Sequence, residues 1–417
     1  MCVGLSGGLD SVVLLHSLKA LRGDLNFVLS AVHVDHGLSP NAGAWAGFCE
    51  RLCADWQVPL TVARVQVKQA GKQGLEAAAR TARYAAFAEQ VGDDIVLAQH
   101  RDDQAETVLH QLLRGAGVKG LAAMPAERNL AAGPMRLLRP LLDLDRTDLQ
   151  AYAEAHGLAY VEDESNLDPG YTRNFLRHHV LTEIERRFPA YRSTLARAAR
   201  HFADCDQLLD DLARADAEHA IADGCLMVSG LAALSPARAR NLLRFYLIGQ
   251  GWPAPPADWL AEALDQLIHA RPDAELRLRL AGRSLARYRD RIHVLDVLPE
   301  AEMTERLWQG EAVLTLPGYG QLEFARAQGQ GISAARLDQA PVSVGPYEGG
   351  GEIRPDCRRP RRTAKKLMQE AAVPPWERRQ LPALYCGAQL VWLAGVGVDC
   401  DFQAGPDEPG WLISWRR

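Results

Sequence analysis

The 417-residue sequence lacks the cysteine spacing of a metal or redox site, because none of its eight cysteines forms a Cys-x-x-Cys pair. It also lacks an apolar run long enough to span a bilayer, and since the first strand-like run begins at residue 1 we expect no signal peptide. The net charge of -5 excludes a polycation, so any nucleic acid must be held by local basic patches. We therefore expect a cytoplasmic protein with reduced thiols and no membrane partner.

The chain length predicts two or three domains, and the sequence pattern changes twice along the chain. Strand-like and helical patterns alternate up to about Phe188, which predicts an α/β domain with a parallel sheet covered by helices. A mainly helical stretch with three short strand-like runs follows. The last part joins Gly- and Pro-rich β structure to one helical run, which predicts a small α+β domain. We place the domains at 1–194, 195–300 and 307–417.

A glycine-rich loop, Ser6-Gly7-Gly8-Leu9-Asp10-Ser11, joins the first apolar strand to the first apolar helix. Two glycines let the backbone turn sharply, and the start of the helix offers free N–H groups to an anion. A carboxylate such as Asp10 repels phosphates unless a cation lies between them, so it indicates a shared Mg²⁺. A plain helix cap explains one Ser or one Asp, but not the whole loop. The loop therefore predicts a site for nucleotide phosphates.

Two more polar segments follow predicted strands, where the ligands of open α/β sheets bind. In the first, His33-Val34-Asp35-His36-Gly37-Leu38, the two histidines fit a hydrogen-bonded turn as well as a site. The second, His100 to Thr107, contains Asp103 and Glu106 on one helix face. This pair fits a helix cap at Asp103, a Mg²⁺ site or a site for an ammonium group. We favour a functional role for the second segment and leave the first open.

Arginines occur in two helical segments of the first domain. Arg80 and Arg83 lie at helical spacing after Glu76, which fits a solvated Glu–Arg face at least as well as a phosphate contact. The polar segment from Glu162 to Asn174 is followed by a series of arginines that allows one basic helix face toward a phosphate backbone. A solvated helix would carry such arginines too.

Taken in order, these motifs resemble the tRNA(Ile)-lysidine synthetase (synthase) family of the PP-loop ATP pyrophosphatases. In the first domain the resemblance is carried by the loop at 6–11, His33–Leu38, the helix with Glu76, Arg80, Arg83 and Tyr84, His100–Thr107, Arg114–Leu121, and Glu162–Asn174. In the last domain it is carried by Arg354-Pro355, Arg358, Lys365-Lys366-Leu367, Gln369-Glu370 and Val373-Pro374-Pro375-Trp376. The middle domain resembles the family only loosely. The resemblance implies an adenine nucleotide alpha hydrolase-like catalytic domain.

The resemblance also implies a reaction, catalysed by an ATP-dependent, AMP-forming ligase that makes a carbon–nitrogen bond. ATP would adenylate the wobble cytidine of a tRNA(Ile) with the anticodon CAU, and L-lysine would displace AMP to give lysidine. The tRNA would then change its specificity from methionine to isoleucine. The attacking amine has a reference pKa of about 10.4, so it must lose a proton first.

From the motifs and the resemblance together, we predict four sets of site residues. The predicted nucleotide-binding residues are Ser6, Gly7, Gly8, Leu9, Asp10, Ser11, His33 and His36. The predicted catalytic residues are Asp10, His100, Asp103 and Glu106, with His100 as the general base. The predicted Mg²⁺ ligands are Asp10 and Asp103. The predicted tRNA-binding residues are Arg80, Arg83, Arg173, Asn174, Arg177, Arg354, Arg358, Lys365 and Lys366.

The sequence departs from the family pattern at three places. Gln99 stands where a second histidine is often found, so that histidine cannot be essential here. Cys357 stands where glycine is usual, which leaves the turn in the last domain open. Few residues precede the first loop, so the first strand is expected to be shorter than in the family.

Three other functions were weighed against this interpretation. An RNA thiolase usually needs cysteines that carry sulfur or a cluster, and the paired spacing is absent. GMP and asparagine synthetases give no reason for a basic last domain. A non-catalytic tRNA-binding protein would not need the intact loop and the acids that follow His100. The sequence leaves the oligomeric state open, with a homodimer as one option.

Overall fold

The computed structural model of the chain describes most of its residues. Described are residues 1–67, 72–130, 135–162, 170, 172–271, 276–296, 304–347, 349–378 and 380–416, without the side chains of Lys72, Gln73, Glu76 and Asp296. Most of the predicted polar segment before Thr172, namely 163–169 and 171, lies outside the described residues. The chain divides into two compact units, Met1–Asp211 and Leu212–Arg417. Within the described residues, no helix combines the length and the apolar character that crossing a bilayer requires.

The first unit is built on a six-stranded sheet. Its strands are β1 (Cys2–Gly4), β2 (Ser30–Asp35), β3 (Leu60–Arg64), β4 (Asp94–Val96), β5 (Glu127–Asn129) and β6 (Arg136–Leu138). They lie in the order β3-β2-β1-β4-β6-β5, and all neighbours are parallel except β5 and β6. The carboxyl ends of the parallel strands therefore meet at one edge, where ligands of such sheets bind.

Helices cover the sheet because its strands are apolar on both faces. They are α1 (Leu9–Leu25), α2 (Ala42–Asp55), α3 (Lys72–Ala88), α4 (Arg101–Leu113), α5 (Val118–Leu121), α6 (Arg146–Ala155), α7 (Thr172–Phe175), a π-helix (Leu176–Val180), α8 (Leu181–Arg187) and α9 (Tyr191–Ala220). One core cluster joins Val3 of β1 to Leu14 of α1 and Leu149 of α6. A second joins Ile95 of β4 to Phe87 of α3. A parallel sheet with buried faces and crossover helices is the α/β fold that the sequence predicts, and this prediction is confirmed.

The second unit begins with helices beside an antiparallel sheet. Its first elements are β7 (Ile221–Ala222), β8 (Cys225–Met227), α10 (Val228–Ala232), α11 (Pro236–Gly249), α12 (Ala257–His269), β9 (Leu276–Leu280), β10 (Arg283–Tyr288) and β11 (Arg291–Asp296). The strands lie in the order β7-β8-β11-β10-β9. Leu242 and Leu247 of α11, Leu267 of α12 and Leu285 of β10 are fully buried in one core.

The rest of the second unit is rich in short strands. Its elements are β12 (Arg306–Leu307), β13 (Val313–Leu316), β14 (Gly320–Gln328), β15 (Ile332–Ser333), α13 (Ala334–Leu337), β16 (Val342–Pro346), β17 (Glu352–Ile353), β18 (Arg362–Thr363), α14 (Ala364–Glu370), α15 (Pro375–Arg378), β19 (Pro382–Cys386), β20 (Gln389–Leu393), β21 (Gly397–Val398), a 3₁₀-helix (Cys400–Phe402) and β22 (Pro409–Arg416). Two larger sheets, β12-β16-β19-β20-β21 and β13-β14-β22-β15, pack around a common core.

Three local predictions need correction. Helix α4 begins at Arg101, so Asp103 is not its cap: the cap is His100, and the Asp103 carboxylate accepts a hydrogen bond from the His100 backbone N–H at 3.0 Å. The antiparallel strand β5 was not predicted, because its three residues are exposed and show no alternation. The mainly helical stretch that opens the predicted domain at 195–300 is interrupted by β7 and β8, which were not predicted.

The expectation that all cysteines are reduced is wrong for one pair. Cys357 and Cys400 are joined by a disulfide, with their Cα atoms 5.4 Å apart. The pair was not foreseeable from spacing, because 43 residues separate the two cysteines and only the fold brings the 3₁₀-helix beside the turn at Cys357. The structure also settles the turn at this position: the backbone N–H of Arg359 donates to the carbonyl oxygen of Asp356 at 3.0 Å, and the backbone at Cys357 does not require glycine.

We predict that thiol titration of the denatured, unreduced protein will find six free cysteines rather than eight. Cys205 should react first with an alkylating reagent under native conditions, because it is the exposed one among them. A count of eight thiols would contradict the disulfide. Peptide mapping that links Cys357 to Cys400 is the independent control.

Candidate active site

The glycine-rich loop between β1 and α1 turns where only glycine fits. Gly7 has φ +90°, and a Cβ atom built on it would lie 3.0 Å from Val161 Cγ2 and 3.2 Å from Cys49 Sγ. The carbonyl of Gly7 accepts a hydrogen bond from the Val161 N–H at 2.9 Å, which fixes the turn from outside. Any side chain at Gly7 would therefore be strained in conformation and crowded in space.

Serine hydroxyls hold the loop in shape. Ser11 is buried and donates to the Gly8 carbonyl at 3.0 Å, while its oxygen also accepts from the Ser6 N–H at 3.2 Å. The Ser6 side chain is exposed and lies 3.0 Å from the Ser11 hydroxyl. Ser11 is thus committed to the loop, and Ser6 is the hydroxyl that a ligand can reach. Leu9 is buried in the core, so only its backbone can face a ligand.

The start of α1 remains open to an anion. Gly8 is the N-cap and no side chain caps the helix. The first backbone N–H groups of α1 therefore lack the side-chain acceptor that many helices have, and they lie at the positive end of a 17-residue helix dipole. This arrangement is what a bound phosphate requires.

An acidic cluster lies beside this helix start, around the buried His100. The Nε2 atom of His100 is 3.6 Å from an Asp10 carboxylate oxygen and 3.5 Å from an Asp103 oxygen, and its Nδ1 is 3.5 Å from Asp102. The carboxyl end of β4 and the start of α4 bring His100 and Asp103 to Asp10 at the start of α1. The predicted residues Asp10, His100 and Asp103 thus come together.

The carboxylates control the charge of His100. Burial lowers the pKa of this imidazole, but hydrogen bonds to Asp10 and Asp102 and the charge of Asp103 raise it to about 10. Burial also raises the pKa of Asp102, yet His100, the Arg146 amide and Arg192 hold it well below its usual range. His100 is therefore an imidazolium at neutral pH in this state of the protein, and it cannot accept a proton until it has lost its own.

We predict that His100 stays protonated at pH 8 in the protein freed of metal with EDTA. Because folding raises its pKa from 6.5 to about 10, its contribution to stability is complete below about pH 6.5 and is lost as the pH rises through about 10. Nitrogen-15 chemical shifts of the imidazole across this range test the prediction. A midpoint near 6.5 would refute it.

The predicted catalytic residue Glu106 has an arginine partner. Its side chain is 2% exposed, and Arg177 of the π-helix binds it through Nε and through Nη2, the latter at 3.0 Å. Arg177 Nη2 also lies 3.4 Å from Asp103. Burial raises the pKa of Glu106, although Arg177 opposes this. Arg177 was predicted to bind tRNA; its described contacts instead hold the two acids of α4, and its role toward RNA remains a prediction.

The acidic cluster fits a Mg²⁺ ion shared with a nucleotide. Asp10 Oδ1 is buried and accepts no hydrogen bond, and its charged neighbour is Arg146 Nε at 3.8 Å, so this carboxylate oxygen beside the phosphate loop has room for a stronger interaction with a cation. Within the described residues, no three His, Cys, Asp or Glu side chains form a complete metal site. Mg²⁺ usually takes one or two carboxylates together with substrate phosphates and water, and Asp10 and Asp103 are the carboxylates that could serve it here.

The two histidines after β2 differ in their surroundings. His33 is buried, its Nδ1 lies 2.9 Å from the Leu5 carbonyl oxygen, and it contacts Cys49. It therefore supports the chain just before the phosphate loop. His36 Nε2 accepts from Arg83 Nε at 3.4 Å, while its buried Nδ1 has no partner within the described residues. Burial, followed by the charge of Arg83, lowers the pKa of His36 to about 4, so it is a neutral ring with one donor left for a ligand.

The remaining predicted residues of the first unit lie around this edge. Arg80 is exposed and its Nη2 donates to the Tyr84 hydroxyl at 3.3 Å. Arg173 donates to the Thr107 hydroxyl at 3.1 Å, next to the acids of α4. Asn174 is half-buried on the same short helix. The Glu76 side chain, the expected partner of Arg80, lies outside the described side chains.

In the second unit, three of the four predicted tRNA-binding residues are exposed cations. Arg358, Lys365 and Lys366 are exposed and have no ion pair with a described residue. Arg354 is different: its guanidinium binds Asp401 at 2.8 Å and its N–H donates to the buried Asp399 at 2.9 Å. The structure thus separates a free basic patch from one arginine that supports the fold.

Two arginines of the site were not among the predicted site residues. Arg146 at the start of α6 lies 3.8 Å from Asp10, and its backbone N–H donates to Asp102 at 3.1 Å. Arg192 at the start of α9 binds Asp102 and Glu185. Neither stands in a motif, and both come to the acids only through packing. The signal that could have found them is that each of these arginines stands at the start of a helix, where it could be tested as a partner for the acids that follow His100.

These features define a class of protein. An uncapped helix start after Ser-Gly-Gly-x-Asp-Ser, with acids at the next strand end, is the site of a PP-loop enzyme that uses ATP, and a family model described as PP-loop domain matches residues 1–184. Two further models match: the TilS substrate binding domain at 226–293 and the TilS substrate C-terminal domain at 342–415.

Similar curated proteins cover the whole chain. A tRNA(Ile)-lysidine synthase of Nitrosomonas europaea is 46% identical over 100% of this chain and 92% of its own length. Those of Chromobacterium violaceum and an Azoarcus species are 44% and 43% identical, over 99% and 100% of this chain and 94% and 91% of their own lengths. The chain belongs to the tRNA(Ile)-lysidine synthase family. The predicted family and the predicted class of ATP-dependent ligase are confirmed.

Proposed function

We propose that this chain converts the wobble cytidine of a tRNA(Ile) with the anticodon CAU into lysidine, with ATP and L-lysine as co-substrates. The observation that carries the proposal is the uncapped start of α1 beside the cluster of Asp10, His100 and Asp103. Phosphates bind at the helix start, and the acids lie next to them. The family and its two substrate-domain models support tRNA(Ile) as the RNA.

The chemistry follows from the need to activate a poor leaving group. The carbonyl oxygen of the cytosine base attacks the α-phosphorus of ATP, the bond between the α-phosphorus and the oxygen that bridges to the β-phosphate breaks, and pyrophosphate leaves. The side-chain amine of lysine then adds to the activated ring carbon, loses a proton, and AMP leaves with the oxygen. An unpaired anticodon base can leave its stack at low cost, which lets it enter the site.

The residues of the site take distinct roles in this scheme. Ser6 and the N–H groups at the start of α1 bind the departing pyrophosphate. Asp10 and Asp103 are the proposed ligands of Mg²⁺, which supplies positive charge to the phosphates when it is bound. Glu106, held by Arg177, orients the lysine ammonium. His100 is the proposed base for the proton of the lysine amine. It can accept that proton only after it has lost its own, which requires Asp10 and Asp103 to interact with another cation instead of the imidazolium.

The proposal is tested by incubating the protein with ATP, Mg²⁺, labelled lysine and tRNA(Ile) bearing CAU. Elongator tRNA(Met), which has the same anticodon, is the matched control. Label in the first tRNA alone, with equal amounts of AMP, is the expected result. Pyrophosphate release without incorporated lysine would point to another acceptor, and no turnover at all would overturn the proposal.

We further propose that the exposed cations Arg358, Lys365 and Lys366 bind the tRNA backbone away from the anticodon. Replacing all three with Gln should weaken tRNA binding without a change in ATP binding. Each lost phosphate contact lowers the slope of log K against log salt by roughly 0.7 to 0.9, so a triple variant should lose about two units. A double variant of exposed arginines in the first unit, Arg22→Gln/Arg51→Gln, is the control. An unchanged slope in the triple variant would refute this assignment.

A further inference from the structure

A second basic cluster lies at the same edge of the first sheet, around the Tyr84 side chain of α3. The guanidinium groups of Arg80 and Arg128 lie 5.1 and 5.0 Å from the centre of the Tyr84 ring. Arg139, which directly follows β6, is the third member, and its electrostatic partners are Tyr84, Arg128 and Arg80. We call these residues the Tyr84 cluster. Only Arg80 was predicted as a site residue.

Arg139 is a buried cation held by neutral groups. It is 3% exposed, its Nε donates to the Gln99 side-chain oxygen at 2.9 Å, and its Nη1 donates to the Pro125 carbonyl at 2.7 Å. A buried charge is costly unless an opposite charge compensates it. Within the described residues, Arg139 forms no ion pair. Burial, and then the positive charges of Arg128 and Arg80, lower its pKa.

Other arginines of the first unit form ion pairs with carboxylates. Arg136, three residues earlier on β6, binds both Asp94 and Glu127. Arg177 and Arg192 bind the acids of α4, as described above. The arginines of the Tyr84 cluster form no ion pair with a described carboxylate, and the Glu76 side chain, four residues before Arg80, lies outside the described side chains. Their positive charges also lower the pKa of Tyr84 despite its burial. Three guanidinium groups around one ring favour the binding of an anion between them.

An anion that binds this cluster would approach it from the surface. Arg80 and Arg128 are exposed, whereas Arg139 lies beneath them and touches Gln99, the residue before His100. Three guanidinium groups exceed what one carboxylate needs, and arginine forks match the oxygens of a phosphate. A polyanion that passes along the surface beside the active site fits this geometry.

We propose that Arg80, Arg128 and Arg139 around Tyr84 bind one backbone phosphate of the RNA substrate, next to the nucleotide that enters the active site. This inference rests on the proposed function and adds to it a phosphate subsite in the catalytic unit. Arg139 is its buried member and Arg128 is an exposed one. Gln99 is a positioning residue, because its neutral oxygen orients Arg139 and leaves its charge for the phosphate.

The test compares Arg128→Gln and Arg139→Gln with Arg22→Gln, an exposed arginine on α1. The tRNA dissociation constant should rise about tenfold for each of the first two variants, as expected for one lost charge-assisted contact. The slope of log K against log salt should fall by roughly 0.7 to 0.9 in each. The KM for lysine and the affinity for ATP should not change. Arg128→Gln keeps the test informative even if Arg139→Gln does not fold, because Arg128 is exposed.

Phosphate ethylation interference gives the decisive control. One ethylated phosphate near the anticodon should weaken binding to the wild-type protein and weaken binding to the Arg128→Gln variant by a smaller factor, because that variant has already lost one of the three contacts. Equal interference in both proteins, or a change in the lysine KM with unchanged tRNA affinity, would overturn the inference. If the wild-type protein does not incorporate lysine at all, the proposed function fails instead, and the two failures are thereby distinguished.

Discussion

Replacing Asp10 with Asn should reduce lysidine formation and pyrophosphate release together, by about a hundredfold to a thousandfold. The reason is that Asp10 provides a carboxylate oxygen without a hydrogen bond beside the open start of α1, where the phosphates of ATP require a cation. An Asn side chain has nearly the same size, so the loop keeps its shape. The measurement is single-turnover pyrophosphate release with saturating tRNA and lysine.

A matched control for this variant is Asp24→Asn, an exposed carboxylate near the end of the same helix. It should leave the rate unchanged, because it lies at the opposite end of α1. Raising the Mg²⁺ concentration should partly restore Asp10→Asn if the lost interaction is with the metal. Wild-type pyrophosphate release in Asp10→Asn would remove Asp10 from the reaction.

Replacing Arg177 with Met should destabilise the protein by roughly 3 kcal/mol, because it leaves the buried Glu106 without its partner. Arg177 itself is 38% exposed, so we expect the low end of the range for broken buried pairs. Since burial raises the pKa of Glu106, the carboxylate of the variant should protonate readily, and its loss of stability should be smaller at pH 5 than at pH 8. Urea unfolding at the two pH values measures this.

The double variant Arg177→Met/Glu106→Leu separates stability from chemistry. An apolar pair should recover much of the lost stability, because no buried charge remains. It should not recover lysidine formation if Glu106 orients the lysine. Full activity in the stable double variant would show that the pair serves only the fold.

Sequence reasoning predicted those parts of the site that are continuous in the chain. The loop at 6–11 and the segment that begins at His100 each sit where a strand ends and a helix begins, so local pattern was sufficient to place them. The parallel sheet followed from the alternation of apolar strands and helices. Asp10 and His100 could be expected at one edge because the carboxyl ends of parallel strands meet there.

The rest depended on contacts between distant positions. Arg146 and Arg192 lie 44 and 90 residues after Asp102 in the chain, and no spacing rule predicts contacts between such distant positions. The protonated state of His100 follows from three carboxylates around one ring, which the sequence does not reveal. The Cys357–Cys400 disulfide likewise depends on a contact between distant positions. Electrostatic roles were therefore harder to predict than positions.

The π-helix at Leu176–Val180 requires a fixed number of residues between Arg177 and α8, whatever those residues are. A π-turn holds one more residue than the α-turn it replaces. It allows Arg177 to face Glu106 while Leu181, at the start of α8, remains buried. Deleting the exposed His179 would let the turn revert to an α-helix and rotate Arg177 by about 100° relative to α8. Substitutions at His179 should be tolerated and deletions should not. The constraint on this segment is therefore on its length and not on the identity of its residues.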